Sequence, residues 1–171
     1  MTSESSDITI RPATAVDVNA LGRLGALLVK THYEFDRLRF IAPAPQTADR
    51  YGAFLGTQLD APNVVVHVAE RDGQVLGYAY AGLEGFDYMS LRGPAGALYD
   101  IVVDPAHRGR GVGRILLGAT LAALTARGAP RVVLSTAEQN ESAQRLFARA
   151  GFRRTMVEMT CELNDDERAS S

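Results

Sequence analysis

Asp104-Pro105-Ala106-His107-Arg108-Gly109-Arg110-Gly111-Val112-Gly113 decides the reading of this chain. It lies between residues 97–103, an apolar run with strand character, and a stretch in which Leu117, Leu121 and Leu124 recur at helical spacing. Glycine at every second position of the turn leaves backbone N–H groups open to an anion. The helix that follows brings its partially positive N-terminus to the same point. Arg108, Arg110 and Arg114 add mobile positive charge, and the stretch reads as a cradle for phosphate groups. A Walker-type loop would need Lys and then Ser or Thr after the last glycine, where this chain has Arg114-Ile115. A Gly-x-Gly-x-x-Gly dinucleotide turn would need glycine at Arg114 or Leu116, so that reading fails too.

A second stretch, from Asn140 to Phe152, follows an apolar strand at 131–136. Ala143, Leu146, Phe147 and Ala150 make one stripe on a short helix, with Asn140 placed as its N-cap and Gly151 as the residue that ends it. Taken in this order, the two stretches resemble the GNAT family of N-acetyltransferases. Arg108, Gly111 and Gly113 match that family's Arg/Gln-x-x-Gly-x-Gly/Ala motif. Asn140, Ala143, Phe147 and Gly151-Phe152 follow its Asn-x-x-Ala segment. The resemblance runs loosely from Ile8 to Leu163, and its distinctive residues lie between Ala97 and Phe152.

It implies an α/β fold: a mixed, mostly antiparallel sheet of about six to seven strands, helices on both faces, and two strands splayed around acetyl-CoA. The backbone of Ile101, Val102 and Val103 would meet the pantetheine arm as a further strand would. Arg108, Gly109, Arg110, Gly111, Val112, Gly113 and Arg114 would hold the pyrophosphate. Asn140, Ala143 and Phe147 would line the thioester end. The implied activity is acetyl transfer to a primary amine of a small molecule, amino acid or peptide, by direct attack in a ternary complex. The other function class is a non-catalytic acyl-CoA-binding or regulatory module. Two departures motivate it: Ala97 stands where many members have Glu, and Phe147 where many have a Tyr that protonates the leaving thiolate.

The general base is open on sequence. Asp100, acting through water, leads, with Tyr99 beside it on the strand; regular pleating would put the two on opposite faces unless a bulge intervenes. His67 has a second claim because Val64, Val66 and Val68 alternate away from it, while His32 and a solvated His107 have weaker ones. The acceptor would enter between residues 32–45, with His32, Tyr33, Phe35 and Phe40, and residues 84–96, with Glu84, Phe86, Asp87 and Tyr88. Aromatic walls with two carboxylates suit a cationic amine, and Arg37 and Arg39 suit an amino acid's carboxylate.

Element order agrees with an α/β domain. Residues 8–10 alternate as a strand, and Thr14-Ala15-Val16-Asp17 is a capping box before the stripe Val18, Leu21, Leu24, Leu28. A helix at 47–59 and strands at 64–70 and 75–83, joined through Asp72-Gly73, come next. Strand 97–103, helix 112–127, strand 131–136, helix 141–150 and strand 152–163 complete one domain over 8–163, with flexible tails at 1–7 and 164–171. At 171 residues and 46% hydrophobic, the chain can bury a core. Its net charge of −2 offers no broad basic surface for nucleic acid. The single Cys161 excludes an internal disulfide and a cysteine-rich metal site, and it reads as a buried thiol in the last strand. No metal is expected. Without an apolar leader or a membrane-length run, a cytoplasmic location is expected. The family resemblance implies a homodimer, and the apolar residues 156–163 offer an edge for it.

Overall fold

A computed structural model describes residues 7–163. The elements are β1 (Thr9–Pro12), α1 (Val18–Phe35), α2 (Thr47–Gln58), β2 (Val64–Arg71), β3 (Gln74–Glu84), β4 (Ala95–Val103), α3 (Val112–Ala126), β5 (Val132–Leu134) and α4 (Glu141–Arg149). Five strands form one sheet in the order β1-β2-β3-β4-β5. The first four run antiparallel and β5 joins β4 in parallel.

Apolar residues cover both faces. Val66, Val68 and Tyr78 pack beneath Leu21, Leu24 and Leu55 of α1 and α2. Val65, Ala69 and Leu76 pack against Leu116, Leu117 and Leu124 of α3. A strand sandwiched this way needs apolar residues at successive positions, which is why Val64 to Val68 is nearly unbroken valine. Helices α1 and α2 approach backbone to backbone: a Cβ on Gly22 would sit 2.3 Å from the Ala48 carbonyl oxygen. The turn Asp72-Gly73 has both residues at positive φ, as a two-residue hairpin requires.

Before α1, Asp17 is 4% exposed and accepts hydrogen bonds from the Arg11 guanidinium at 2.8 and 2.9 Å and from the Thr14 N–H at 2.8 Å. Arg11 also donates through Nε to Glu70, so one arginine ties β1, β2 and the entry to α1 together.

Several expectations are corrected. Among the described residues the sheet has five strands, not six or seven. Residues 152–163, read as a final strand, form no strand, and Cys161 is exposed rather than buried. The alternation there is real, but the described residues supply no neighbouring strand. Strand 131–136 shrinks to Val132–Leu134. His32, Tyr33 and Phe35, expected in an irregular stretch, belong to the last turns of α1. The expected tails lie outside the described residues, apart from Asp7. No helix among those residues is long and apolar enough to cross a membrane.

Candidate active site

Strand β4 is nine residues long, yet it pairs with β5 only where Gly96, Ala97 and Leu98 meet Val132, Val133 and Leu134. Beyond that the chains part. A cavity of about 290 Å³ opens between them, with Tyr99, Asp100 and Ile101 on one wall and Leu134, Ser135 and Thr136 on the other. Asn140, Ala143 and Phe147 of α4 reach it from one side, and His32, Phe40 and Tyr51 from the other. The splay implied by the sequence resemblance is therefore present.

A bulge decides which side chains enter. The β3–β4 ladder pairs Ala81 with Leu98 but Tyr80 with Asp100, so Tyr99 is the extra residue. Leu98 packs against the α3 face of the sheet, whereas Val102 packs on the α1/α2 face. Four residues of regular strand would keep both on one face. The extra residue turns Asp100 toward α2 while Tyr99 still lines the cavity.

Asp100 Oδ2 accepts hydrogen bonds from Tyr51 Oη at 2.7 Å and Tyr78 Oη at 2.9 Å. Burial pushes the Asp100 carboxyl above its ordinary pKa, and the two phenol bonds only partly offset that by favouring the carboxylate. Both phenols are raised in turn, first by burial and then by the Asp100 charge. Tyr99 donates to Glu84 Oε1 at 2.7 Å, and burial together with that carboxylate raises its pKa also.

At the end of β4 the chain makes a short 3₁₀ turn and enters the glycine-rich stretch. Gly109 and Gly111 have φ of 74° and 81°, a region that favours glycine, and a Cβ at either would meet no protein atom within 4 Å. Gly113 lies inside α3 and takes no positive φ. The first N–H to find a backbone acceptor is that of Ile115, which bonds Gly111 O at 3.1 Å. Among the described residues, the N–H groups of 109 to 114 have no protein acceptor, as expected where an anion meets a helix start. Arg110 and Arg114 are exposed, and Arg108 Nε donates to the Val103 carbonyl at 3.0 Å, which draws the turn toward the cleft. His107, expected to be solvated, has a buried Nδ1 with no hydrogen-bond partner among the described residues.

Helix α4 has the predicted ends. Asn140 Oδ1 accepts from the Ala143 N–H at 3.2 Å, and Gly151 has φ of 94°. Phe147 is 6% exposed, lines the cavity and meets Phe152 edge-on at 5.8 Å.

Not every candidate arrives at the cavity. His67 faces α3, its Nδ1 3.2 Å from Thr120 Oγ1. That hydroxyl gives its proton to the Leu116 carbonyl, so the imidazole N–H must be the donor. Burial, then the Arg127 charge, lowers the His67 pKa. Val102 sends its side chain into the core. Glu84 and Asp87 do not line the cavity, and Arg92 pairs with both. Phe86 and Tyr88 stack on each other and are exposed. Of the aromatics at 32–45, His32 and Phe40 reach the cavity, with rings 5.0 Å apart. His32 Nδ1 donates to the Leu28 carbonyl at 2.9 Å, which leaves Nε2 as the acceptor of the neutral ring.

Tyr51 and Tyr78 were not anticipated. Their signals were a helical step of four from Tyr51 to the buried Leu55, and the alternation Tyr78, Tyr80 on β3. No cluster of His, Cys, Asp and Glu suited to a metal occurs among the described residues.

Comparison with known proteins follows this geometry. The model of the acetyltransferase (GNAT) family matches residues 29–152. A mycothiol acetyltransferase of Thermobispora bispora is 41% identical over 96 residues, 54% of this chain and 31% of that protein. One of Nocardia farcinica is 31% identical over 116 residues, 68% of this chain and 34% of that protein. The chain thus spans about a third of the length of the curated relatives it matches. Among solved structures, a mutant of the BH1408 protein from Bacillus halodurans superposes with a TM-score of 0.77 at 20% identity, covering 91% of this chain and 99% of that one. The aminoglycoside N-acetyltransferase AAC(6')-Iy in complex with CoA gives 0.73 at 21%, covering 95% and 98%. At such identities the structural likeness speaks for the fold.

Proposed function

This chain belongs to the acetyltransferase (GNAT) family, and from that premise we propose that it moves the acetyl group of acetyl-CoA to a primary amine by direct attack in a ternary complex. Two observations carry the proposal together: β4 parts from β5 around a cavity, and the turn that follows β4 holds six backbone N–H groups that have no backbone acceptor among the described residues. Those donors, with Arg108, Arg110 and Arg114 around them, fit a pyrophosphate. The stretch of β4 at Ile101, Val102 and Val103, paired with β3 on one side and left open by β5 on the other, fits an amide-bearing arm. Asn140, Ala143 and Phe147 fit the thioester end.

Acetyl-CoA supplies an activated acyl group, and the chain's own residues do the rest. Asp100 is a half-buried carboxylate in the cavity with its pKa raised above the ordinary carboxylate range by burial, which suits a base that takes the amine proton through one water. Tyr51 and Tyr78 hold it in place. Tyr99 borders the acceptor space, with its hydroxyl fixed by Glu84. N–H groups near Val103 face the developing oxyanion. Phe147 has no proton to give and excludes water. A thiol pKa of about 8.5 makes the thiolate a tolerable leaving group without an acid.

The acceptor reading narrows to a cationic amine of modest size. One carboxylate, Asp100, stands in the cavity among the rings of His32, Phe40, Tyr51 and Tyr99. The names of the relatives and of the CoA-bound neighbour refer to mycothiol and aminoglycosides, both small molecules, which favours a small acceptor over a peptide. The test is thiol release from acetyl-CoA against a panel of small amines, amino acids and peptides. Release with a small amine is expected. Tight acetyl-CoA binding with no release for any acceptor would instead support a non-catalytic acyl-CoA-binding module.

A further inference from the structure

Two acceptor atoms on residues that line the cavity are left open. Asp100 takes both phenol hydrogen bonds on Oδ2, and its Oδ1 has no partner among the described residues. His32 supplies the other. It sits in the last turn of α1, where Nδ1 donates to the Leu28 carbonyl and leaves the lone pair of the neutral ring on Nε2. Nε2 likewise has no partner among the described residues, and neither atom is sealed from solvent. The ring is held in place, because Phe35 and Phe40 meet it edge-on at 5.9 and 5.0 Å. Tyr51 and Tyr99 line the same cavity, with their hydroxyls committed to Asp100 and Glu84. Arg39 lies over the Phe40 ring at 4.9 Å and is paired with Glu158.

Acetylation of a cationic amine takes two protons from one nitrogen. The ammonium loses the first before its lone pair can attack, and the tetrahedral adduct loses the second before it collapses to the amide. A carboxylate is well suited to only one of these. Its negative charge stabilises an ammonium beside it, so the ion pair that draws the acceptor in also holds the first proton. A neutral imidazole carries no such charge, and imidazole is the side chain that accepts a proton near neutral pH. We propose that His32 Nε2 takes the first proton, from an ammonium bound at Asp100, and that Asp100 takes the second, from the adduct. The inference rests on the acetyltransferase reading and divides its proton transfers between two residues. An N–H bond of the ammonium breaks and an imidazolium forms. The freed lone pair makes the C–N bond, and Asp100 takes the second proton through water. The C–S bond then breaks, the thiolate receives that second proton, and the imidazolium returns the first to water. The two groups lie within electrostatic reach: burial raises the Asp100 carboxyl, while the phenols and then a charged His32 favour the carboxylate. The imidazolium is stabilised in return.

The test compares two acceptors of one skeleton, ethylamine and trifluoroethylamine, by thiol release from acetyl-CoA at neutral pH. Fluorine withdraws electrons, so the second amine arrives already neutral and has only the later proton to lose. Two variants of the full chain are used: His32→Phe keeps a ring against Phe35 and Phe40, and His32→Gln keeps a polar side chain. With ethylamine, each should lose about 10²-fold in kcat/KM, and with trifluoroethylamine each should stay within about threefold of the unsubstituted chain. Asp100→Asn should slow both amines, because the second proton has to leave either one. Since the comparison is made within each variant, a partly unfolded chain would lower both rates and leave their ratio unchanged. Equal losses for the two amines in both His32 variants would reduce His32 to a packing residue and overturn the inference, with the acetyltransferase reading intact. No release from the unsubstituted chain with these amines or any other acceptor would remove that reading, and the inference with it.

Discussion

Tyr51 on α2 and Asp100 on β4 are joined by a hydrogen bond of 2.7 Å from phenol to carboxylate, and the same oxygen takes a second bond from Tyr78. The pair ties the helical layer to the strand that runs on past β5. It also fixes the one carboxylate that, among the described residues, lines the cavity. Without these two donors, burial alone would hold Asp100 still further above its ordinary pKa.

Asp100 should therefore dominate turnover. Asp100→Asn should lower kcat/KM by about 10²–10⁴-fold, the usual worth of positioned acid–base help, with acetyl-CoA affinity held in calorimetry. In the unsubstituted chain the acidic limb of the kcat/KM profile should lie above the ordinary carboxylate range, because the base works deprotonated and its pKa is raised. Tyr51→Phe removes a donor that favours the carboxylate, so that limb should move to higher pH. A limb moving lower would assign the titration to another group.

The phosphate cradle should depend on Gly111 far more than on Gly113. At φ of 81° a β-branched side chain is strained, and its bulk stands where an anion would approach. Gly111→Val should abolish acetyl-CoA binding in calorimetry, with circular dichroism reporting a folded chain. A Cβ on Gly113 would make ordinary contacts with Leu146 and Val103 at 3.5 and 3.6 Å, so Gly113→Ala should bind nearly as well. Equal losses in the two would count against the cradle.

Phe147 separates packing from proton donation. Phe147→Tyr should change kcat by no more than about tenfold, because the thiolate leaves without an acid. Phe147→Ala empties a site 6% exposed and should cost about 3–5 kcal/mol in urea unfolding, with weaker acetyl-CoA binding. A gain of several orders of magnitude in Phe147→Tyr would mark the present chain as a poor catalyst built to bind.

Arg11 and Asp17 should make stability fall in acid. The Asp17 carboxyl is held below its ordinary pKa, chiefly by hydrogen bonds from Arg11. Its contribution is thus complete above the unfolded value of about 3.9 and is lost as pH falls through the lower folded value. Asp17→Asn should cost about 1.5–3 kcal/mol near pH 7, the range for hydrogen bonds to a charged group. Urea unfolding across pH should show that gap closing on acidification, and a constant gap would deny the linkage.

Sequence by itself determined whatever is written in local spacing. The glycine turn before α3, the cap at Asn140, the stop at Gly151, the capping box at Thr14 and the Asp72-Gly73 hairpin all rest on contacts within a few residues, so the pattern and the conformation are one fact. Those local facts, in their order, sufficed for the fold class. Only the tertiary structure decided what depends on register and on distant partners. The bulge at Tyr99, which turns Asp100 toward Tyr51, comes from the pairing of β4 with β3 and leaves no mark in composition. His32 enters the cavity because α1 runs two turns past its last leucine, while His67 is taken by Thr120, 53 positions along the chain. Residues 152–163 show the limit most plainly: alternation gives a segment the face of a strand, but a strand exists only where a second backbone lies alongside to accept its hydrogen bonds.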